Sequence, residues 1–242
     1  MGPASVSGSS GLSPYKRRRP LPALVLFLVL AVVAVFVWVK VLGAAGDVDA
    51  AIKCNPPGNA ASSGQQATPT EGQPPVEPVK LGTAIAHDAL DRTDPAAVQN
   101  IQFRVFNAST QRNQAKSVAI SLSEMGLKQA AEPGNDPAYP AGDMACRGQI
   151  RFGAPGANAA RTLSLLEPCL ELVRDDRQDA IVDVAIGQKF DEVKPNNDAR
   201  KVLDQLDEWA KQHPEQQGGQ AAQGGAPPLA AEHVQAARDV HC

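Results

Sequence analysis

The hydrophobic residues of this 242-residue chain are distributed unevenly, and the first long run of them stands near the N-terminus. Residues 21–39 contain no charged side chain; four basic residues at 16–19 precede them and Lys40 follows. A helix of this length, at about 1.5 Å per residue, matches a hydrocarbon core about 30 Å thick. The pattern therefore predicts one transmembrane helix over residues 21–42.

The charges around this segment predict its orientation. Basic residues flank a membrane span on its cytoplasmic side, so residues 1–20 are predicted to be cytoplasmic and the chain after Lys40 extracytoplasmic. A cleaved signal peptide has an apolar region of about 7 to 15 residues, shorter than the run found here. Small residues at 44–46 and 48–50 would suit cleavage. We nevertheless favour an uncleaved, single-pass signal anchor in the cell membrane.

Two segments rich in Pro, Gly and Gln lie on either side of the best-patterned part of the chain. Residues 43–95 are predicted to form an extracytoplasmic stalk, because the stretch 56–78 contains six Pro and almost no large apolar residue. Residues 212–242 are predicted to form a flexible tail, in which 229–240 could dock as a short helix. Such compositions bury too little apolar surface to offset the entropy of ordering the chain.

Residues 96–211 carry the periodic patterns of a folded domain. Alternation of apolar and polar positions, or a short apolar run, predicts strands at 101–105, 146–152, 170–173 and 181–186, with Cys146 on the inner face of the second. Apolar positions three and four residues apart predict helices at 115–125, at 159–166 and from about 198 to 209. This order of elements predicts an α/β (α+β) two-layer sandwich, a mixed sheet covered by helices.

Charge argues against a nucleic-acid partner. The net charge is −3, but four of the 23 basic residues stand in the first twenty positions, which hold no acid. The rest of the chain therefore carries 19 basic and 26 acidic residues. It lacks the basic surface that binding to a phosphate backbone requires.

Four cysteines, Cys54, Cys146, Cys169 and Cys242, predict disulfides, since an even number in an exported chain is typical of oxidised pairs. Three pairings are possible. We favour Cys146 with Cys169, both in the densest part of the chain, which leaves Cys54 to pair with Cys242. No C-x-x-C pair occurs and the four histidines are dispersed, so no metal or cofactor is predicted.

Several local patterns resemble binding or catalytic sites. The turn from Gly153 through Gly156 to Asn158, with Arg161 one helical turn later, could hold an anion at a helix N-terminus. It lacks the Gly-Lys-Ser/Thr ending of a nucleotide-binding loop, and an ordinary turn is the simpler interpretation.

The acids at 175, 176 and 179 are interpreted as a solvated turn rather than as catalytic carboxylates. None of the common nucleophile or zinc-protease motifs occurs, and no histidine falls in a predicted core element. We therefore predict that the protein is not an enzyme. Asn107 and Ser109 match a glycosylation sequon, but their place between strand and helix favours a turn and cap role.

Four stretches together carry a family resemblance: 105–109, the helix 115–125 with Gly126 and Leu127, 150–156 and 182–187. Over residues 98–190 the chain resembles the LytR C-terminal domain family. It departs from the usual pattern at Asn113, where the family usually has Gly in the first turn, and at Asp183, inside the last strand. Asn113 still tolerates a positive φ, whereas Asp183 puts the burial of its strand in doubt.

In many members of this family the domain follows a glycopolymer transferase, for which only a linker is present here. A free-standing domain behind an anchor, with the motifs at 54–58 and 142–153, is similar to actinobacterial envelope-integrity members. The resemblance implies a non-catalytic accessory protein that maintains the cell envelope by binding a glycan, a lipid-linked precursor or a wall-assembly protein. A scaffold for membrane partners and a wall-modifying enzyme are the alternatives.

The two strand-to-helix turns are the candidate ligand-binding surface. If both crossovers run the same way, the turns lie at one edge of the sheet. The candidate residues are Asn107, Ser109, Asn113, Gly153, Gly156 and Arg161.

Overall fold

The computed structural model describes residues 21–58, 81–213, 227–240 and 242. The chain divides into two compact units, one ending at Ala45 and one from Gly46 to Cys242. The predicted cytoplasmic N-terminus, the stalk between 59 and 80 and the linker 214–226 lie outside the described residues.

The first helix, α1, covers Leu21–Ile52 and so extends ten residues past the predicted end at 42. Its side chains are described at 25–35 and 48–52. Large apolar side chains between Val25 and Val35 are more than half exposed. Within the described part of the chain, the structure contains no helix with the length and apolarity of a membrane span. The signal anchor therefore stays a prediction.

Seven strands of the second unit form one mixed sheet, as the sequence predicts. In chain order the strands are β1 (Thr83–Ile85), β2 (Gln102–Asn107), β3 (Lys128–Gln129), β4 (Gly134–Asn135), β5 (Gly148–Phe152), β6 (Glu171–Arg174) and β7 (Val182–Ile186). Across the sheet they lie in the order β1-β6-β5-β7-β2-β3, and β4 also pairs with β2. Strands β2 and β7 are parallel, as are β5 and β6, whereas β7 and β5 are antiparallel.

Helices cover one face of this sheet, which confirms the predicted α+β class. They are α2 (Gln114–Glu124), α3 (Ala157–Leu166), α4 (Asn197–Gln212) and α5 (Ala231–Arg238). Apolar residues of these helices share one core with alternate residues of the central strands, among them Phe103, Ile150 and Val184. Helix α2 packs on β2 and α3 on β5, while α5 packs on α3 and α4. Local signals set the helix starts: Asn113 stands before α2 with φ 62°, and Asn196 caps α4 by accepting the Ala199 amide at 2.8 Å.

The opposite face of the sheet carries a smaller apolar cluster and a set of buried charges. Tyr139, Met144 and Cys146 pack there with Cys54 and Ala185. Asp183 of β7 is also on this face and is 5% exposed. The strand is thus buried along its whole length, and Arg104 and Arg177 supply the opposite charges that Asp183 needs.

The ordered unit begins earlier in the chain than the predicted domain start at 96. Strand β1 lies within the predicted stalk and pairs antiparallel with β6 at the edge of the sheet. It follows Gly82, where a Cβ would overlap the carbonyl oxygen of Arg174. Three residues that are mostly exposed give too short a pattern for sequence periodicity to detect.

The structure contains two disulfides, Cys54–Cys146 and Cys169–Cys242, with Cα–Cα distances of 4.9 and 5.4 Å. The predicted pairing of Cys146 with Cys169 is therefore wrong. Cys146 precedes β5 and is buried in the cluster opposite the helices, together with Cys54. Cys169 lies in the turn after α3, and α5, just before Cys242, packs on α3. The sheet separates the two pairs.

Candidate functional site

The two predicted turns lie at opposite ends of the sheet, so the expected shared surface does not form. Strand β2 is parallel to β7, and β5 is antiparallel to β7. Asn107, at the end of β2, and Gly148, at the start of β5, are both paired with Ile186. The turn after β2 is therefore level with the start of β5, and Gly153 is at the other end.

The turn after β2 is closed by its own hydrogen bonds. Asn107 Oδ1 accepts from the Ser109 amide at 3.0 Å, and Asn107 Nδ2 donates to the Gln111 carbonyl at 2.7 Å. The Ser109 hydroxyl lies 2.8 Å from Gln114 Oε1, and Gln114 Nε2 donates to the Phe190 carbonyl at 2.8 Å. These polar groups connect β2 to α2 and to the loop after β7. Asn107 and Ser109 thus hold the turn, as their place between strand and helix predicts.

The glycine turn after β5 is occupied by protein rather than open to an anion. A Cβ at Gly153 would overlap the carbonyl oxygen of Arg177, and one at Gly156 would lie 3.3 Å from the Ala180 carbonyl oxygen. The loop before β7 therefore lies against this turn. Both glycines permit close backbone approach, which is the structural reason for glycine here.

Arg161 faces a different surface from the glycine turn. Its side chain is 3% exposed, and Nη1 donates to Asp91 Oδ1 at 2.9 Å. Nearby, Asn158 Nδ2 donates to the Asp94 carbonyl and Thr162 Oγ1 to the Ala96 carbonyl, each at 2.7 Å. The first turns of α3 thus hold the segment 91–96.

Between that segment, α3 and α5 lies a cleft of about 1000 Å³, here called the α3–α5 cleft. Arg161 and Arg238 both contact Asp91, and Arg238 Nη2 also donates to the His87 carbonyl at 2.7 Å. Burial lowers the pKa of both guanidinium groups below its ordinary value. The sequence pattern indicates Arg161 but not Asp91, Arg238 or His87, because these contacts join positions 70 or more apart.

The two sequence motifs at 54–58 and 142–153 meet on the sheet face opposite the helices. Asn55 Oδ1 accepts from the Ala145 amide at 2.7 Å, and the Tyr139 hydroxyl donates to the Asn55 carbonyl at 2.5 Å. Burial raises the pKa of Tyr139 to about 12. Together with Cys54–Cys146, these bonds fasten the end of α1 to the loop before β5.

Of the three acids after β6, Asp175 is engaged in an ion pair and the other two face solvent. Asp175 contacts Arg177 at 2.6 Å, and Arg177 also contacts Asp183 at 2.8 Å. Burial alone would raise the Asp175 pKa, but the hydrogen bonds and charge of Arg177 outweigh it and hold the pKa below its ordinary value. A carboxylate held ionised in this way is a poor proton donor. Asp176 and Asp179 are exposed, as predicted for a solvated turn.

Glu167, which the sequence pattern does not indicate, has a strongly raised carboxyl pKa. It lies directly after α3, is 7% exposed, and accepts the Lys194 amide at 3.1 Å. Burial raises its pKa to about 7. Its neighbours around a small internal cavity are apolar and include Leu122, Ile150 and Phe190. Within the described residues, no group of three His, Cys, Asp or Glu side chains is placed to hold a metal.

Three comparisons place the chain among known proteins. A family model described as LytR cell envelope-related transcriptional attenuator (LytR_C) matches residues 100–190, which confirms the resemblance. The cell envelope integrity protein Cei of Mycobacterium tuberculosis is 35% identical over 193 residues, covering 80% of this chain and 83% of Cei. The crystal structure of the soluble domain of a conserved hypothetical secreted protein from Mycobacterium marinum superposes with a TM-score of 0.55. The two chains are 29% identical, and the match covers 67% of this chain and 99% of the Mycobacterium marinum chain.

Proposed function

The chain belongs to the family of LytR_C-domain proteins that includes Cei, and we propose that it maintains cell envelope integrity as a membrane-anchored, extracytoplasmic accessory protein. The observation that carries this proposal is the pair of disulfides that closes the folded unit. Cys54–Cys146 secures its N-terminal end and Cys169–Cys242 secures its C-terminal end. Structural disulfides of this kind form and persist in oxidising compartments outside the cytoplasm.

The proposed anchor is the apolar segment 21–39. It contains no charged residue, and four basic residues stand directly before it. The side chains between Val25 and Val35 are exposed in the folded chain, which leaves them free to contact lipid. In this arrangement, residues 1–20 remain in the cytoplasm and the second compact unit lies outside.

The proposed mode of action is binding of an envelope component, a glycan, a lipid-linked precursor or a wall-assembly protein, without catalysis. Support for the absence of catalysis comes from several buried charges that are held in complementary pairs. Arg151 and Asp136 form two hydrogen bonds, at 2.7 and 3.1 Å, and Asp183 lies between two arginines. Such pairs stabilise one conformation, whereas acid–base catalysis needs groups that can exchange a proton.

Complementation tests the proposal. In a strain lacking the endogenous protein, resistance to detergent and lysozyme is measured with three versions: the natural chain, the chain with residues 21–42 replaced by an unrelated span, and residues 46–242 alone, kept in the cytosol. We expect the first two to restore resistance and the cytosolic version to fail. Rescue by the cytosolic version would refute an extracytoplasmic role.

If the natural chain restores resistance but the chain with the exchanged span does not, the alternative is favoured, namely a scaffold that acts through its membrane helix. A turnover assay on wall precursors addresses the remaining alternative. Activity lost in Asp176→Asn, which changes an exposed acid, but kept in Asp191→Asn would indicate a wall-modifying enzyme.

A further inference from the structure

The α3–α5 cleft has the size of a small-molecule site and a buried cationic floor. Its volume is about 1000 Å³, at the upper end of the usual range for ligand pockets. Arg161 and Arg238 form the floor with side chains 3% and 11% exposed. Asp91 is the carboxylate that both of them contact.

This floor leaves hydrogen-bonding capacity unused. Arg161 Nε is buried and finds no hydrogen-bond partner among the described residues, and the same is true of His87 Nδ1, which lies 3.4 Å from Asp49 Oδ1. A buried N–H without an acceptor costs free energy comparable to a lost hydrogen bond. Carboxylates and phosphates are the acceptors that fit a guanidinium best, because they can take two parallel hydrogen bonds.

The rim of the cleft has the opposite charge. Asp94, Glu232 and Asp239 line it and are exposed. These acids disfavour a simple anion, whereas they attract an ammonium group on the outer end of a ligand. No Trp, Tyr or Phe is among the described residues that line the cleft, so it offers no aromatic platform for a sugar ring.

We infer that the α3–α5 cleft binds a zwitterionic small molecule, whose acid group contacts Arg161 and Arg238 and whose primary amine faces the acids of the rim. The ligand class is an amino acid or short peptide with both termini free. A phosphate that carries a primary amine would make the same two contacts and is the competing ligand class. The inference goes beyond the proposed function, which does not depend on it.

Calorimetric titration of the full chain in detergent micelles tests the inference. The probes are trialanine, its C-terminal amide, its N-acetyl derivative, phosphoethanolamine and inorganic phosphate. We expect trialanine to bind at least tenfold more tightly than the amide, the N-acetyl form and inorganic phosphate. Tighter binding of phosphoethanolamine than of trialanine would support a zwitterion site in the cleft and would identify the ligand class as an amine-bearing phosphate. No measurable binding of either zwitterion would overturn the inference.

Three variants locate the binding. Arg161→Gln should weaken trialanine binding at least tenfold, while Arg112→Gln, exposed in the turn at the opposite end of the sheet, should leave it unchanged. Because Arg161 is buried, its replacement could unfold the chain. The rim double variant Asp94→Asn/Glu232→Gln changes exposed residues and should abolish the preference for the free amine. If the double variant prefers trialanine over its N-acetyl derivative as strongly as the natural chain does, the assignment of the amine to the rim acids is overturned.

Discussion

Several buried charges in this protein are held by opposite charges from other elements or loops. Asp183 is 5% exposed, and its carboxylate contacts Arg104 at 2.6 Å and Arg177 at 2.8 Å. An isolated ionised group in such a place would be very costly, so the arginines are a condition of its burial. This explains how an acid can stand in the middle of an otherwise apolar strand.

Removing this acid should destabilise the fold. Asp183→Ala removes the carboxylate that both Arg104 and Arg177 contact. Because the two arginines lose this counter-charge, we expect the free energy of unfolding to fall by about 3 kcal/mol. Asp191→Ala is the control, because Asp191 is 79% exposed in its pair with Arg147 and should change stability by less than about 0.5 kcal/mol. Urea unfolding measures both. Equal effects would show that the buried pairs contribute no more than surface ones.

Glu167 should make stability depend on pH. Its pKa is raised to about 7 in the folded chain by burial, so the folded state binds more protons than the unfolded state between about pH 4.5 and 7. Stability from this group is present at low pH and falls as the pH rises through about 7. Glu167→Gln should remove that fall, which amounts to at most about 3 kcal/mol.

Urea unfolding at pH 5.5 and pH 8 distinguishes the two chains. We expect the difference in stability between these pH values to be smaller in Glu167→Gln than in the natural chain. The same difference in both chains would contradict burial as the origin of the shift.

Gly153 tests the structural interpretation of the glycine turn. Gly153→Ala should cost about 1–3 kcal/mol, because the added Cβ overlaps the Arg177 carbonyl oxygen and the loop must move. Gly134→Ala is a matched control, since a Cβ there meets nothing within 4 Å. Thermal melts compare them. Similar melting temperatures for both variants would show that the loop carrying Arg177 moves without loss of stability.

At the scale of elements, the helix α5 is held by several separate interactions. Asn196 Nδ2 donates to the carbonyls of Ala236 and Ala237 at 3.1 and 3.2 Å, and His233 Nδ1 lies 2.9 Å from Asp198 Oδ1. Ala237 is fully buried in the main core. A helix of eight residues is unstable alone in water, so its order depends on this docking and on the Cys169–Cys242 bond.

Loss of that disulfide should loosen α5 selectively. In the double variant Cys169→Ser/Cys242→Ser, amide protons of 231–238 should exchange at least tenfold faster than in the natural chain, while those of β7 change little. The matching variant Cys54→Ser/Cys146→Ser removes the other bond and should leave α5 protected. Hydrogen-exchange mass spectrometry gives the comparison. Unchanged protection of α5 in the first variant would mean that packing alone holds it.

At the scale of the whole molecule, the sheet divides the folded unit into two chemically different sides. The helices and the main core lie on one face, and paired charges with a smaller apolar cluster lie on the other. Each face has one disulfide connecting it to an end of the unit. The division keeps the cysteines of one pair apart from those of the other.

Non-reduced peptide mapping of the full chain isolated from an expressing cell tests this connectivity. After thiols are blocked in the intact cell, we expect peptides linking Cys54 to Cys146 and Cys169 to Cys242, and no blocked cysteine. Peptides that link Cys146 to Cys169 would refute the arrangement of the two faces. Four blocked thiols would instead refute export to an oxidising compartment.

How much of the fold could be predicted depends on how local its causes are. The periodic stripes of α2 and α3 and the alternation around Phe103 predict elements within a few residues of their bounds, because burial of one face follows directly from residue spacing. Strand β1 has no such pattern and exists through its pairing with β6. The residues of the α3–α5 cleft, except Arg161, likewise carry no local pattern, because the cleft forms through contacts between distant parts of the chain.

The local sequence is enough to predict the class of fold, the order of the main elements and the apolar segment near the N-terminus, because these follow from composition and from spacing between neighbouring residues. The family was indicated separately, by the resemblance of four short stretches to a known pattern. Three-dimensional structure was needed for the cysteine partners, the opposite placement of the two turns and the contact of Arg161 with Asp91. Those depend on strand order and strand direction, which bring together residues far apart in the chain and leave no periodic trace in it.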